Sequence, residues 1–125
     1  MTAPLVLLAE DDEDVRALAE LVLRREGYEV AAVADGEAAL EAAAERTPAV
    51  AVLDVSMPRM DGLEAARRLR ERPEMHDVPI MLLTARVTEA DRERGRAAGV
   101  DDQLDKPFSP AVLAERVRTL LERRT

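Results

Sequence analysis

The alternation of short apolar runs with helical segments limits this chain of 125 residues to a small set of folds. The runs LVLLA and PIMLLTA are almost continuous in Val, Ile, Leu and Met. Such runs are typical of strands that are covered on both faces, as in a parallel sheet. Strands are therefore predicted at 5–9, 29–34, 49–54, 79–85 and 101–107, the last on the weakest pattern.

Helices are predicted after each of these strands from end signals and apolar spacing. Gly27 ends the first predicted helix, and Asp35 is the N-cap of the second. Thr88 followed by Asp91 is close to a capping box for the fourth, and Ser109 before a proline begins the fifth. The stripe of the first helix predicted to face the core consists of Val15, Leu18, Val22 and Leu23.

Strict strand and helix alternation predicts an α/β domain with right-handed crossovers and helices on both faces of a parallel sheet. A chain of this length suits one domain with one core, so we expect a single domain over residues 1–125. The fourth helix, residues 88 to 98, has no large apolar residue and carries Gly95 in its middle. We expect it to be the least firmly anchored element.

Composition excludes several classes of function. A net charge of −8 disfavours direct contact with nucleic acid, and one Tyr, one Phe and no Trp leave no stacking platforms for single strands. The absence of Cys excludes disulfides and thiolate metal sites. The apolar run near the N-terminus is far too short for a signal peptide or a membrane span. We therefore expect a soluble, cytoplasmic protein with no membrane partner.

Polar residues at the ends of the predicted strands are the candidates for chemistry. In open α/β sheets, ligands bind beyond the carboxyl ends of the strands. Glu10 and Asp11 follow the first strand, and Asp54 ends the third. Thr84 stands at the end of the fourth strand, and Lys106 follows the fifth. Lys106 is the only lysine among 18 basic residues, which suggests that a compact ammonium is needed there.

This set of side chains suits phosphoryl transfer with a divalent cation. Converging carboxylates repel one another, and Mg²⁺, which prefers oxygen ligands, relieves the repulsion. We expect Asp11 to be a direct ligand, Glu10 a ligand through water, and Asp12 a supporting charge or helix cap. Asp54 is the expected nucleophile, with Lys106 and a hydroxyl donor balancing charge on the transferred oxygens.

Each of these residues also has a purely structural interpretation. An acidic run before a helix favours the helix dipole, and a threonine or lysine at a strand end is commonly solvated. None of these interpretations predicts four functional side-chain types at the carboxyl ends of four different strands. That coincidence favours a site.

The chain resembles the receiver domain of two-component response regulators, a CheY-like family. The segments that carry the resemblance are LLAEDDEDVR, LDVSMPRMDG, MLLTA and LDKPF, and the likeness runs from Leu5 to about Arg123. It implies a flavodoxin-like (βα)5 doubly wound fold whose five-stranded parallel sheet has the order 2-1-3-4-5. It also implies a bacterial signalling domain that phosphorylates and dephosphorylates itself and is not a turnover enzyme.

The resemblance implies a role for each matching position. Asp54 matches the phosphoacceptor, which takes a phosphoryl group from a sensor histidine kinase or a histidine phosphotransfer protein. Thr84 matches the switch hydroxyl, and Lys106 matches the lysine that pairs with the phosphoryl group. The implied Mg²⁺ site comprises Glu10, Asp11, Asp54 and the backbone carbonyl of Ser56. The positions of Ser56 and Arg86 are those that tune the lifetime of the phosphoryl group in the family.

One position departs from the family pattern. Family members usually have an aromatic switch residue three positions before the lysine, whereas this chain has Gln103 there. The ring rotation that relays the signal in those proteins therefore has no counterpart in this chain. Our hypothesis is that Gln103 changes hydrogen-bond partners on phosphorylation. The relay leads to the face formed by the fourth helix, fifth strand and fifth helix, through which regulators signal to an output domain or partner.

Charges on this face match those of regulators that dimerise when phosphorylated. They imply a homodimer, although Val112 replaces one acid that such dimers use, and a merely solvated charged face explains them equally well. The matching charged residues are Arg92, Asp101, Asp102, Arg116 and Arg123.

Three rival functions remain open at this point. A Mg²⁺-dependent phosphohydrolase also uses an Asp after a buried strand, but it needs a second acid where this chain has Ser56. A flavin-binding module needs a phosphate-cradling loop, and the acidic run EDDED repels phosphate. An unphosphorylated receiver used only for protein binding is disfavoured by the intact set of acids, threonine and lysine.

Overall fold

The computed structural model of the chain describes residues 3–85 and 88–123. Five parallel strands form one sheet in the order β2-β1-β3-β4-β5, which confirms the predicted fold and strand order. The elements in chain order are β1 (Leu5–Ala9), α1 (Glu13–Arg25), β2 (Glu29–Val33), α2 (Gly36–Glu45), β3 (Val50–Asp54), α3 (Gly62–Arg70), a 3₁₀ turn (Pro73–Met75), β4 (Ile80–Thr84), α4 (Glu89–Ala97), β5 (Asp102–Asp105) and α5 (Pro110–Arg123).

The central strands are buried on both faces, as their apolar runs predict. Every residue of β3 and β4 is buried. Along β3, Ala51 and Leu53 face the core beneath α2 and α3, whereas Val50 and Val52 face the core beneath α1 and α5. The side chains alternate because successive residues of a strand point to opposite faces of the sheet. The protein therefore has two apolar cores separated by the sheet.

The predicted helix ends are confirmed. Asp35 caps α2 through Ala38 N at 2.8 Å, and Thr88 forms a reciprocal capping box with Asp91 at the start of α4. The Oγ of Ser109 accepts a bond from Val112 N at 3.1 Å where α5 begins. These side chains satisfy backbone N–H groups that have no partner within a helix. Gly27 ends α1 with φ +95°, a conformation that favours glycine.

The prediction that Leu18 faces the core is wrong. Leu18 is 46% exposed and Leu21 is 47% exposed. Ala19 and Leu23, four residues apart, form the buried line of α1 instead. Ala19 is small enough to bring the helix close to the sheet, and the rotation of about 100° per residue then carries Leu18 outward. An apolar strip is thus left on the outer surface of α1.

None of the described helices is long and apolar enough to cross a membrane.

Candidate functional site

The sheet register brings the predicted site residues to one edge. Ala9 of β1 pairs with Leu53 of β3, so the residues that follow, Glu10 and Asp54, lie side by side. Thr84 ends β4 opposite Asp105, and Lys106 comes next along the chain. All these positions are at the carboxyl ends of parallel strands, where polar side chains meet without interrupting the apolar cores.

A buried ion-pair cluster lies at the centre of this edge. The Nζ of Lys106 lies 2.7 Å from Oε1 of Glu10 and 3.1 Å from Oδ1 of Asp54. Glu10 is fully buried and Asp54 is 3% exposed, whereas the Lys106 side chain is 21% exposed. Two carboxylates therefore share one ammonium in a place that solvent barely reaches. Because the two carboxyl groups share one ammonium, it can neutralise the charge of only one of them. Removing the other charge from water is costly, since buried charges are stable only when they are paired.

The surroundings of Asp54 favour its protonated form. Burial raises the pKa of the Asp54 carboxyl to about 7, and the adjacent Glu10 carboxyl adds to the rise, while Lys106 acts against it. Burial by itself lowers the pKa of the Lys106 ammonium, but the Glu10 and Asp54 carboxylates outweigh it and hold that pKa above its usual range. The positive charge of the Lys106 ammonium is therefore too small to balance both carboxylates when they are ionised.

The donor set fits a hard divalent cation. Glu10, Asp11 and Asp54 each offer a carboxylate oxygen, and these oxygens all lie within 4.8 Å of one another. Oε1 of Glu10 is buried and forms an ion pair with the Lys106 ammonium at 2.7 Å. Asp11 is exposed, which leaves one side open to water. Clustered oxygen ligands with access to water suit Mg²⁺.

Backbone contacts that the sequence patterns did not reveal hold these acids in place. The N–H of Asp12 donates to Oε2 of Glu10 at 3.0 Å, and Nη1 of Arg16 donates to the carbonyl of Glu10 at 2.9 Å. Asp12 also caps α1, as predicted. A Cβ at Gly62 would lie 2.3 Å from the carbonyl oxygen of Asp54. The Asp-Gly pair that resembles a turn therefore allows α3 to begin directly against the end of β3.

Thr84 lies next to a small cavity at the same edge. Thr84 is 7% exposed, and its carbonyl accepts a bond from Lys106 N at 2.7 Å. The cavity, of about 190 Å³, is also lined by the exposed Ser56 and by Gln103. Arg86, predicted to affect the lifetime of a phosphoryl group, lies outside the described residues.

The predicted output-face charges separate into paired and exposed groups. Nη1 of Arg116 contacts both carboxylate oxygens of Asp102, at 2.9 and 3.0 Å. Asp101 is bound by the Arg70 guanidinium at 2.7 Å and by the backbone N–H of Ile80 at 2.8 Å, a role that the family resemblance did not indicate. Both acids are therefore occupied within the chain.

The remaining residues of this face are exposed or interact through their backbone. Arg92 and Arg123 are exposed. The backbone carbonyl of Arg92 accepts a bond from the side-chain amide of Gln103 at 3.1 Å. Val112, at the position where an acid was expected, is 38% exposed.

An apolar groove of about 470 Å³ runs from Lys106 along α1. Val15 and Leu18 of α1 form one wall, and Pro107 and Phe108 form the other. The exposed strip of α1 therefore leads directly to the buried charge cluster.

Comparison with known proteins gives consistent matches over almost the whole chain. A family model described as the response regulator receiver domain matches residues 6–118. The transcriptional regulatory protein PrrA of Mycobacterium tuberculosis is 46% identical over 99% of this chain, which covers 52% of PrrA. The chain thus spans about half the length of the curated relatives it matches.

Solved structures show the same fold. The chemotaxis response regulator CheY4 of Vibrio cholerae superimposes with a TM-score of 0.91 at 32% identity, over 95% of this chain and 99% of that one. The receiver domain of the sensor histidine kinase PA1611 from Pseudomonas aeruginosa has a TM-score of 0.89 at 34% identity, over 97% of this chain and 99% of that one. This chain belongs to the receiver domains of two-component response regulators.

Proposed function

We propose that Asp54 accepts a phosphoryl group from the phosphohistidine of a sensor histidine kinase or a histidine phosphotransfer protein. An Oδ atom of Asp54 forms the new P–O bond while the P–N bond to the donor imidazole breaks. The leaving nitrogen keeps the electron pair, and the donor departs as neutral imidazole because its other ring nitrogen carries a proton. The observation that carries the proposal is a buried carboxylate at the end of β3, 3.1 Å from the Lys106 ammonium and beside two further acids.

Mg²⁺ is the metal that we propose for this site. Asp11, Asp54 and the backbone carbonyl of Ser56 are the proposed direct ligands, with Glu10 acting through water. The bound cation would neutralise charge on the acids and on the phosphoryl oxygens. The related PA1611 receiver was solved with a magnesium ion coordinated in its active-site cleft. The support from this chain is the cluster of three carboxylates, of which two are buried and share one ammonium.

The surrounding side chains are suited to holding the phosphoryl group once it is transferred. The Lys106 ammonium, now shared by Glu10 and Asp54, would pair with a phosphoryl oxygen. Thr84 brings a hydroxyl at the neighbouring strand end, which would donate to another oxygen. We propose that the acyl phosphate is the signal itself, so that the domain reacts once per stimulus and does not turn over as an enzyme.

A mass measurement tests the acceptor. The chain is incubated with Mg²⁺ and acetyl phosphate, and intact-protein mass spectrometry follows the gain of one phosphoryl group. The wild type is expected to gain it, and Asp54→Asn is expected to remain unmodified. Asp77→Asn is the matched control, because Asp77 is exposed on a loop and should be phosphorylated normally. Equal modification of Asp54→Asn and wild type would overturn the assignment.

We further propose that the signal leaves through the face formed by α4, β5 and α5, to an output domain or to a second copy of the chain. Arg92 and Arg123 are exposed there, whereas Asp101 and Asp102 are paired within the chain. Analytical ultracentrifugation with and without acetyl phosphate distinguishes the two outputs. A phosphorylation-dependent dimer that Arg92→Asp, a change at an exposed residue of this face, abolishes is the expected result for self-association. A monomer under both conditions would exclude the homodimer.

A further inference from the structure

The middle of α4 has little to hold it against the sheet. Gly95 is the only buried residue within this helix, and Ala98, which is also buried, caps its C-terminal end. A helix usually gains stability from packing an apolar face, and α4 has none. The ion pairs described for its side chains are internal to the helix and join Asp91 to Arg94, Glu93 to Arg96 and Glu89 to Arg96.

Gln103 supplies the contact that is missing. Its Nε2 donates to the backbone carbonyl of Arg92 at 3.1 Å, across from β5 to α4. Its amide also lies flat against Gly95. A Cβ at Gly95 would stand 2.3 Å from Nε2, 2.6 Å from Cδ and 2.9 Å from Oε1 of Gln103. No side chain fits at position 95 while the Gln103 amide occupies this place, so the two residues depend on each other.

Glycine is otherwise a poor choice inside this helix. Glycine lowers helix stability relative to alanine, and the neighbouring residues Arg94 and Arg96 are good helix formers. The close approach of the Gln103 amide gives a physical reason for the glycine. The hydrogen bond and the close contact then offset part of the helix stability that is lost because position 95 is glycine and not alanine.

The same glutamine borders the cavity beside Thr84. Gln103, Thr84 and Asp91 of α4 line this space of about 190 Å³ together with apolar residues of β4 and α3. Thr84 and Gln103 therefore border the same space, so a movement of Thr84 into the cavity would approach the residue that holds α4. Release of the Gln103 amide would free the middle of α4 and open one wall of the cavity.

We propose that Gln103 and Gly95 form a latch that holds α4 closed on β5. The latch belongs to the unmodified chain, so it goes beyond the proposed phosphorylation and does not depend on it.

Non-additivity of two substitutions tests the latch. Native-state hydrogen exchange of the α4 amides is compared in wild type, Gly95→Ala, Gln103→Ala and the double variant. In the Gln103→Ala background, Gly95→Ala should slow α4 exchange about fivefold, the factor that the higher helix propensity of alanine implies. In the wild-type background the new Cβ displaces the Gln103 amide, so the same substitution should slow α4 exchange by clearly less than fivefold or should accelerate it. Gln103→Ala alone should accelerate α4 exchange and leave α1 and α5 unchanged.

Ala97→Gly is the matched control, since Ala97 is an exposed residue of the same helix. It should accelerate α4 exchange by the same factor in both backgrounds. Urea unfolding of the same four proteins gives a second readout, in which Gly95→Ala should stabilise Gln103→Ala by clearly more than it stabilises the wild type. If Gly95→Ala slows exchange and stabilises the protein equally in both backgrounds, the latch does not exist.

Discussion

At the scale of single residues, the site holds charges that the fold alone does not balance. Glu10 and Asp54 are both buried, and one ammonium, that of Lys106, serves them both. Such an arrangement lowers stability, because each buried charge has lost its hydration. The instability is useful if a cation and a phosphoryl group later occupy the same place. Function and stability are therefore expected to oppose each other at Asp54.

The pH dependence of stability should report this conflict. The pKa of Asp54 is raised from 3.8 to about 7 by burial and by Glu10. The folded chain thus binds this proton more tightly than the unfolded chain, and the contribution of Asp54 to stability is lost as the pH rises through about 7. In buffer with a metal chelator at about pH 8, Asp54→Asn should raise the free energy of unfolding by about 2 kcal/mol.

Urea titrations at about pH 4.5 and about pH 8 make the comparison, the first close to the unfolded-state pKa of Asp54 and the second above its folded-state pKa. The wild type should lose more stability between them than Asp54→Asn does. Asp77→Asn controls for the loss of one acid from a chain of net charge −8. If wild type and Asp54→Asn lose equal stability over this range, the carboxyl is ionised in the folded chain throughout.

At the scale of elements, α1 combines a structural face with an exposed apolar one. Ala19 and Leu23 pack on the sheet, and Leu18 and Leu21 project outward at 46% and 47% exposure. The groove beside Leu18 ends at Lys106. The protein phosphodonor proposed for Asp54 would approach it across the neighbouring surface, whereas acetyl phosphate needs no such surface. The outward leucines are thus candidates for contact with the donor protein.

Substitution of both leucines should separate the two donors. Leu18→Glu with Leu21→Glu should slow phosphotransfer from a partner kinase by tenfold or more, in line with the loss of about 1.4 kcal/mol of binding free energy. Phosphorylation by acetyl phosphate and the free energy of unfolding should change little, because neither side chain belongs to the core.

The rate of transfer from the kinase is measured with radiolabelled kinase, and the rate of phosphorylation by acetyl phosphate is measured by intact-protein mass spectrometry. Leu18→Ala with Leu21→Ala controls for the introduced charges. An equal loss with both donors would mean that α1 affects Asp54 itself.

At the scale of the whole molecule, Arg70 connects parts of the chain that are distant in sequence. From the end of α3 its guanidinium donates to the carbonyls of Met75 and Val78 at 2.6 Å and of Gly99 at 2.8 Å. It also binds Asp101, which in turn accepts the backbone N–H at the start of β4. One side chain thereby joins α3, β4 and the loop before β5, at the edge of the sheet opposite the acids.

Loss of this side chain should weaken the entire fold. Arg70→Ala leaves several carbonyls and the Asp101 carboxylate without their donor, and should lower the free energy of unfolding by about 3 kcal/mol. Urea unfolding measures the change. Arg68→Ala is the matched control, because Arg68 lies on the same helix but makes only an exposed pair with Glu64, and its loss should have little effect. Similar losses for both variants would contradict this role of Arg70.

The alternation of apolar runs and capped helices was sufficient to predict the architecture, and the motifs at the strand ends predicted which residues share an edge. Both are local properties: period, caps and turn residues act over a few neighbours, and parallel strands place their carboxyl ends together. The family resemblance added the strand order. The structure brings Lys106 into contact with Glu10 and Asp54, and the roles of these residues stay predictions.

Only the tertiary structure decided how those residues share charge and which side chains support them. The outward position of Leu18 depends on how closely α1 sits on the sheet. The occupation of Asp101 depends on Arg70, a residue 31 positions away. The match of Gln103 with Gly95 depends on the approach of α4 to β5. Each is a long-range contact set by packing between elements, and a sequence pattern carries only the spacing within one element.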